Sequence, residues 1–188
     1  MPMRFTIPQY RELNRTGLFH DVKSMLIDGE LYVMPMPNPP HNIGLSLTED
    51  WLGSIFAGKA CHIRNQQAFD IGTRNDPGPD LAVVAGKIRD YETYNPNSAL
   101  LIVEIVEIAD SSLAIDTGRK VGLYAIAGVA DYWVLDVEGR QLHLFRDPQA
   151  DGTYSTRQLL KESDSVTPLS APASSIVVAE LLPHPATE

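Results

Sequence analysis

Two rhythms of apolar and polar positions run along this chain, and they divide it into short helices and strands. Residues 7–17 read as a short helix that Gly17 can stop. Leu26-Ile27 and Leu31–Val33 flank Asp28-Gly29, the two-residue signature of a tight hairpin between two strands. Prolines between positions 35 and 40 predict a stiff connector. Ile43, Leu47, Trp51 and Ile55 recur every four residues, so positions 42–57 are expected to form a helix, closed by Gly58. Strands are expected over 61–69, from Pro79-Asp80 through Val84, and over 100–108, with polar loops at 72–78 and 90–97. A turn at Asp110-Ser111-Ser112 leads to a helix over 119–127, stopped by Gly128. Strands over 129–137, 141–146 and 154–158 follow, and the tail is irregular apart from an apolar segment at 176–182.

Hairpins together with a strand–helix–strand unit predict an α/β fold: a mixed central sheet flanked by helices, with an N-terminal helix and hairpin. At 188 residues the chain is expected to be one domain, residues 1–188, with its core over about 20–160. A hydrophobic content of 44% and a charged content of 21% are those of an ordinary globular protein. No apolar run reaches the ~20 residues that span a bilayer, and no basic-then-apolar leader opens the chain. The single cysteine, Cys61, excludes an internal disulfide framework and a multi-cysteine zinc site, so a cytoplasmic setting without membrane contact is expected.

The run from Leu100 to Ile108 carries two carboxylates, Glu104 and Glu107, inside the most apolar stretch of the chain. A carboxylate buried without a partner costs several kcal/mol, roughly, so a metal, a cation or a hydrogen-bond donor is expected beside it. Asp80 precedes the strand before it, and Lys120 follows on the next helix. Acid, acid and lysine on consecutive elements are the raw material of a metal-dependent phosphodiesterase. Alternation along a strand puts Glu104 on the face of Ile102 and Val106, and Glu107 on that of Val103 and Ile105. Glu107 lies nearer the C-terminal end, where α/β sheets tend to place their ligands, and bringing Asp80, at the beginning of its strand, to it requires antiparallel pairing or a bend at that end. Two carboxylates and a backbone carbonyl, that of Ile108, offer hard oxygen donors for Mg²⁺ or Mn²⁺. Other readings stay open: Asp116 and Lys120 as a surface helix pair, Asp80 as a turn residue, Glu104 as an exposed or salt-bridged strand position.

Several segments together resemble the bacterial Uma family of endonucleases, within the PD-(D/E)XK, restriction-endonuclease-like superfamily. They are Met25-Leu26-Ile27-Asp28-Gly29-Glu30-Leu31, His41, Pro79-Asp80-Leu81-Ala82-Val83-Val84, and the block from Leu101 through Asp110-Ser111-Ser112-Leu113. Asp116, Gly118-Arg119-Lys120, Leu123-Tyr124-Ala125 and Ala127-Gly128-Val129-Ala130-Asp131-Tyr132-Trp133-Val134-Leu135-Asp136 continue the likeness, which covers residues 7–145. The resemblance implies Asp80 and Glu107 as the metal-binding acids, with Glu107 favoured over Glu104 because it directly precedes the Ile-Ala-Asp-Ser-Ser-Leu segment. It implies Lys120 in place of the lysine that normally follows the acid by two residues, where this chain has Ala109. Glu30 would be a further acid near the metal, and Gln66 or Gln67 would line the site. His41 matches a recurrent family histidine and reads equally well as a helix-start residue.

The function this implies is DNA phosphodiester hydrolysis by a metal-activated water held by Asp80 and Glu107, with Lys120 stabilising the transition state. A nuclease-fold binding or regulatory module without turnover is the alternative, motivated by Ala109 and by the net charge of −9. A two-carboxylate glycosidase is disfavoured by an aromatic content of only 7%. DNA is the expected partner, and cutting both strands of a duplex with one site per subunit favours a homodimer. Tyr132 and Trp133 are expected as core or interface aromatics, and the strand they begin as a contact surface if it lies at a sheet edge.

Overall fold

The computed structural model describes residues 3–20, 22–34, 37–106 and 112–185. Helix α1 (Ile7–Arg15) is followed by the hairpin β1 (Lys23–Ile27) and β2 (Glu30–Met34), whose register pairs Ile27 with Glu30. Asp28 and Gly29 both have positive φ, 52° and 77°, as this two-residue turn requires. Gly29 is needed twice over, since a Cβ there would stand 2.9 Å from the Phe5 carbonyl oxygen. Helix α2 (Pro39–Phe56) begins at the prolines themselves. Pro39 and Pro40 therefore form the first helical turn rather than a connector, because proline's fixed φ suits that turn and its missing N–H is not needed there.

Strands β3 (Cys61–Asn65), β4 (Leu81–Ala85), β5 (Leu101–Val106), β6 (Asp131–Asp136), β7 (Gln141–Pro148) and β8 (Tyr154–Lys161) form one six-stranded sheet in chain order. All neighbours are antiparallel except β5 and β6, which are parallel. The crossover between those two strands contains an α turn (Ser112–Ala114), a π turn (Ile115–Arg119) and helix α3 (Lys120–Ile126). The fold is thus the α/β arrangement expected, a mixed sheet with helices on both faces. Strand β6 lies between β5 and β7 and is buried throughout, so it offers no edge for subunit contact. The edges are β3 and β8.

Alternation on the central strands feeds two cores. Leu81, Val83, Leu101, Val103, Trp133 and Leu135 face α2 and the C-terminal segment, where β9 (Ser165–Val166) pairs with β10 (Ile176–Val177). Ala82, Val84, Ile102, Val106, Tyr132 and Val134 face α3 and the hairpin residues Met25 and Ile27. Burial on both faces explains why β5 reads as a continuous apolar run. Along α2 the four-residue apolar stripe is buried only in part: Ile43 is 48% exposed and Leu47 39%, while Trp51 and Ile55 pack against the core. The helix buries His41, Gly44, Leu45, Thr48, Leu52 and Phe56. Gly44 decides this, because the helix approaches the sheet there so closely that a Cβ would lie 3.3 Å from Ile105. Trp51 remains half-buried and stacks on Trp133, ring centroids 6.3 Å apart.

Candidate active site

Asp80 immediately precedes β4. The β4–β5 register pairs Leu81 with Val103 and Ala82 with Ile102, so continuing it by one residue sets Asp80 opposite Glu104. Opposed positions in an antiparallel pair share a face, and their Cβ atoms stand about 5 Å apart. Two carboxylates are thereby placed side by side, both almost fully buried. The Asp80 amide donates to Glu104 Oε2 at 3.3 Å, and Asp80 Oδ2 accepts the Ile105 amide at 2.9 Å.

Like charges so placed repel, and cations from two other elements relieve the repulsion. Lys120, 4% exposed at the start of α3, puts Nζ 2.9 Å from Glu104 Oε1 and 2.9 Å from Asp116 Oδ1. Asp116 and Lys120 are therefore a buried pair rather than a surface one, and the π turn carries Asp116. The Tyr124 hydroxyl donates to Glu104 Oε1 at 2.8 Å. From the hairpin, Lys23 Nζ reaches Asp80 Oδ1 at 2.8 Å. It arrives there because Leu26 and Asp76 exchange backbone hydrogen bonds, which docks β1 beside the loop leading to Asp80. Gln66 Nε2 donates to the same Oδ1 at 3.1 Å, and its amide to the Asp80 carbonyl. His41 Nε2, buried and without a hydrogen bond, lies 3.7 Å from Asp80 Oδ1.

Electrostatics separates the two acids. Burial pushes the Glu104 carboxyl up to about 7; Lys120 pulls it down, while Asp116 and Asp80 push it further up. Burial also acts to raise Asp80, but Lys23, His41 and Lys120 outweigh it and hold the carboxyl below the ordinary range. Burial raises Asp116 against the pull of Lys120. Lys120 is held protonated, since Asp116, Glu104 and Asp80 together overcome its desolvation. Asp80 is the committed anion of the site, and Glu104 is the acid whose charge depends on what stands beside it.

Of the residues singled out in the sequence, Asp80 and Lys120 reach this cluster, and Gln66 and His41 line it. Gln67 is exposed. Glu30 is bound elsewhere, by Arg4 at 3.3 Å and by Arg119 at 2.7 Å. Glu107 and Ile108 lie outside the described residues. Within those residues the acid that meets Asp80 and Lys120 is Glu104, which sequence reasoning passed over for Glu107. Lys23, Asp116 and Tyr124 were not anticipated either. The signal available for Glu104 was its place in the middle of the apolar run, where desolvation is most complete.

Hard carboxylate oxygens on two opposed side chains suit Mg²⁺ or Mn²⁺, which take one or two carboxylates and keep several waters. Among the described residues no group of three or more His, Cys, Asp or Glu is arranged to hold a metal, and each oxygen of Asp80 and Glu104 already accepts a hydrogen bond from the protein, so an ion held by these two would have to share those oxygens with protein donors. Around Oδ1 of Asp80, whose side chain is 4% exposed, Gln66 is exposed, the Lys23 side chain keeps 26% of its surface in solvent and His41 is buried.

The family model Uma2, described as "Putative restriction endonuclease", matches residues 7–179. Among solved structures, a "putative nuclease belonging to DUF820" from Anabaena variabilis superposes with a TM-score of 0.73 at 15% identity, covering 94% of this chain and 97% of that one. The type IIG restriction endonuclease BpuSI gives a partial likeness: TM-score 0.39, 11% identity, 62% of this chain and 12% of the other. No curated protein sequence matches.

Proposed function

This chain belongs to the Uma2 family, and from that membership we propose that it is a metal-dependent endonuclease that hydrolyses DNA phosphodiester bonds at the Asp80–Glu104 pair. The observation that carries the reading is the burial of these two carboxylates face to face, with Lys120 against one of them. A bound Mg²⁺ or Mn²⁺ would supply positive charge to the phosphate and acidify water near neutral pH. Asp80, held below the ordinary carboxylate range, would be the constant ligand of such an ion, and Glu104 would join it in its ionised form. Lys120, fixed by Asp116, keeps its ammonium beside the pair, where it offsets negative charge that grows in the transition state. Gln66 and Lys23 orient Asp80 through its Oδ1. Cleavage of both duplex strands would use two copies, one site per strand, in a soluble cytoplasmic homodimer.

Plasmid cleavage in Mg²⁺ or Mn²⁺ tests this. Asp80→Asn and Glu104→Gln should each lower the rate by about 100-fold or more, the scale of losing one group that stabilises transition-state charge. Glu107→Gln should retain activity. Loss in Glu107→Gln with activity intact in Glu104→Gln would return the ligand to Glu107. Failure of the wild-type protein to cut any DNA would overturn the reading.

One observation favours a second reading, a nuclease fold that binds without turnover: Lys23 and Lys120 already neutralise the acids without a metal. Calorimetric titration with Mn²⁺ separates the two, since heat of binding that disappears in Asp80→Asn excludes a closed, metal-free network.

A further inference from the structure

Among the described residues, Glu30 is the carboxylate partner of two guanidinium groups, those of Arg4 and Arg119. Its Oε1 accepts from Arg4 Nη2 at 3.3 Å, and its Oε2 from Arg119 Nη1 at 2.7 Å. Arg4 also donates to the Asp28 carbonyl at 2.6 Å, which anchors its other nitrogen to the hairpin turn. The Tyr32 hydroxyl donates to Glu30 Oε2 at 3.2 Å and accepts from Arg119, whose guanidinium lies 5.6 Å from the Tyr32 ring centroid. Both arginine side chains remain accessible, 43% for Arg4 and 50% for Arg119, and Glu30 keeps 34%. Arg119 is the residue directly before Lys120, so this group adjoins along the chain the lysine that contacts Glu104, while Glu30 stands at the turn end of the hairpin whose other end carries Lys23 to Asp80.

A carboxylate that gives one oxygen to each of two guanidiniums presents the same pattern as the two non-bridging oxygens of a phosphodiester. Guanidinium forks match phosphate as well as carboxylate, and ion pairs this open to water are weak enough to exchange partners. The need is plain from the charge: at −9 overall, with Lys120 and Lys23 engaged by acids, a strand approaching Asp80 and Glu104 requires cations that can be released to it. We propose that Arg4 and Arg119 form a phosphate subsite for a nucleic-acid strand beside the acidic pair, and that Glu30 holds the place of the phosphodiester until the strand displaces it. This rests on the nuclease reading for its substrate class and assigns Glu30 a role away from any metal.

The test is binding of a fluorescein-labelled DNA duplex, followed by anisotropy in EDTA at several salt concentrations, alongside thermal melts. Removing the resident anion with Glu30→Gln should tighten binding about two- to five-fold at low salt, the range one exposed ion pair spans. Arg119→Ala should weaken binding and flatten the salt slope by about one, the mark of one lost phosphate contact. Arg119→Lys should restore the slope but only part of the affinity, because the charge returns without the fork. Arg4→Ala should act like Arg119→Ala. Unchanged or weaker binding in Glu30→Gln, with a lower melting temperature, would make Glu30 a mere clasp of the hairpin and overturn the proposal, as would absence of binding by every variant. If these shifts appear while no DNA is ever cut, hydrolysis is refuted and the phosphate subsite stands. If DNA is cut but binding ignores Glu30 and both arginines, only the subsite is refuted.

Discussion

Asp80 and Glu104 face each other across the β4–β5 ladder, with the amide of Asp80 donating to the carboxylate of Glu104 at 3.3 Å. The sheet thereby uses its own backbone to hold two acids that would otherwise repel, and leaves side-chain oxygens for cations. Lysines from α3 and from the hairpin take up that role.

Lys120 should be the residue this cluster tolerates losing least. Lys120→Met leaves Glu104 and Asp116 buried without their shared cation, a loss of about 3–5 kcal/mol, visible as a shift in the urea unfolding midpoint. Adding Glu104→Gln should recover part of the loss, because one of the two stranded charges is then gone.

Stability of the metal-free protein should depend on pH through Glu104. Its folded value, about 7, lies above the 4.5 of the free side chain, so the folded state holds this proton more tightly than the unfolded chain does. The resulting contribution is complete below about 4.5 and is lost as pH rises through about 7. Asp80 acts with the opposite sign and in another window, its contribution fading only as pH falls below 3.8. Melting curves in EDTA between pH 4.5 and 8 should show the wild type losing stability relative to Glu104→Gln as pH rises.

Divalent cations should reverse that trend. A cation at 100 times its dissociation constant stabilises the fold by about 2.7 kcal/mol. Mn²⁺ should accordingly raise the melting temperature of the wild type, more at pH 8 than at pH 6, and leave Asp80→Asn unmoved.

The hairpin carries Lys23, Glu30 and Tyr32, so its turn matters beyond its own two strands. Gly29→Ala meets both the Phe5 carbonyl and an unfavourable φ of 77°. A cost of about 2 kcal/mol is expected, read as a fall of roughly 4–8 °C in melting temperature. A smaller cost is expected for Gly17→Ala, whose φ is also positive but whose Cβ would meet nothing within 4 Å.

The alternation of strands, the Asp28-Gly29 turn and the strand–helix–strand unit were readable from local pattern, because periodicity and turn chemistry depend on residues a few positions apart. So were Asp80 and Lys120 as candidates, through burial cost and through likeness to a family. The inward face of α2 was readable only in part: Ile43 and Leu47 belong to the apolar stripe yet stand exposed, while close approach at Gly44 sets the face that meets the sheet. The partner of Asp80 was hidden for a related reason. Two acids three positions apart in one apolar run look alike from within that run, and only the register with β4 selects Glu104 as the one opposite Asp80. Lys23 lies 57 residues from the carboxylate it meets. Local sequence settles which elements form, since that is decided within a turn or a strand; the composition of the charged cluster depends on how distant elements dock, and only tertiary structure decides that.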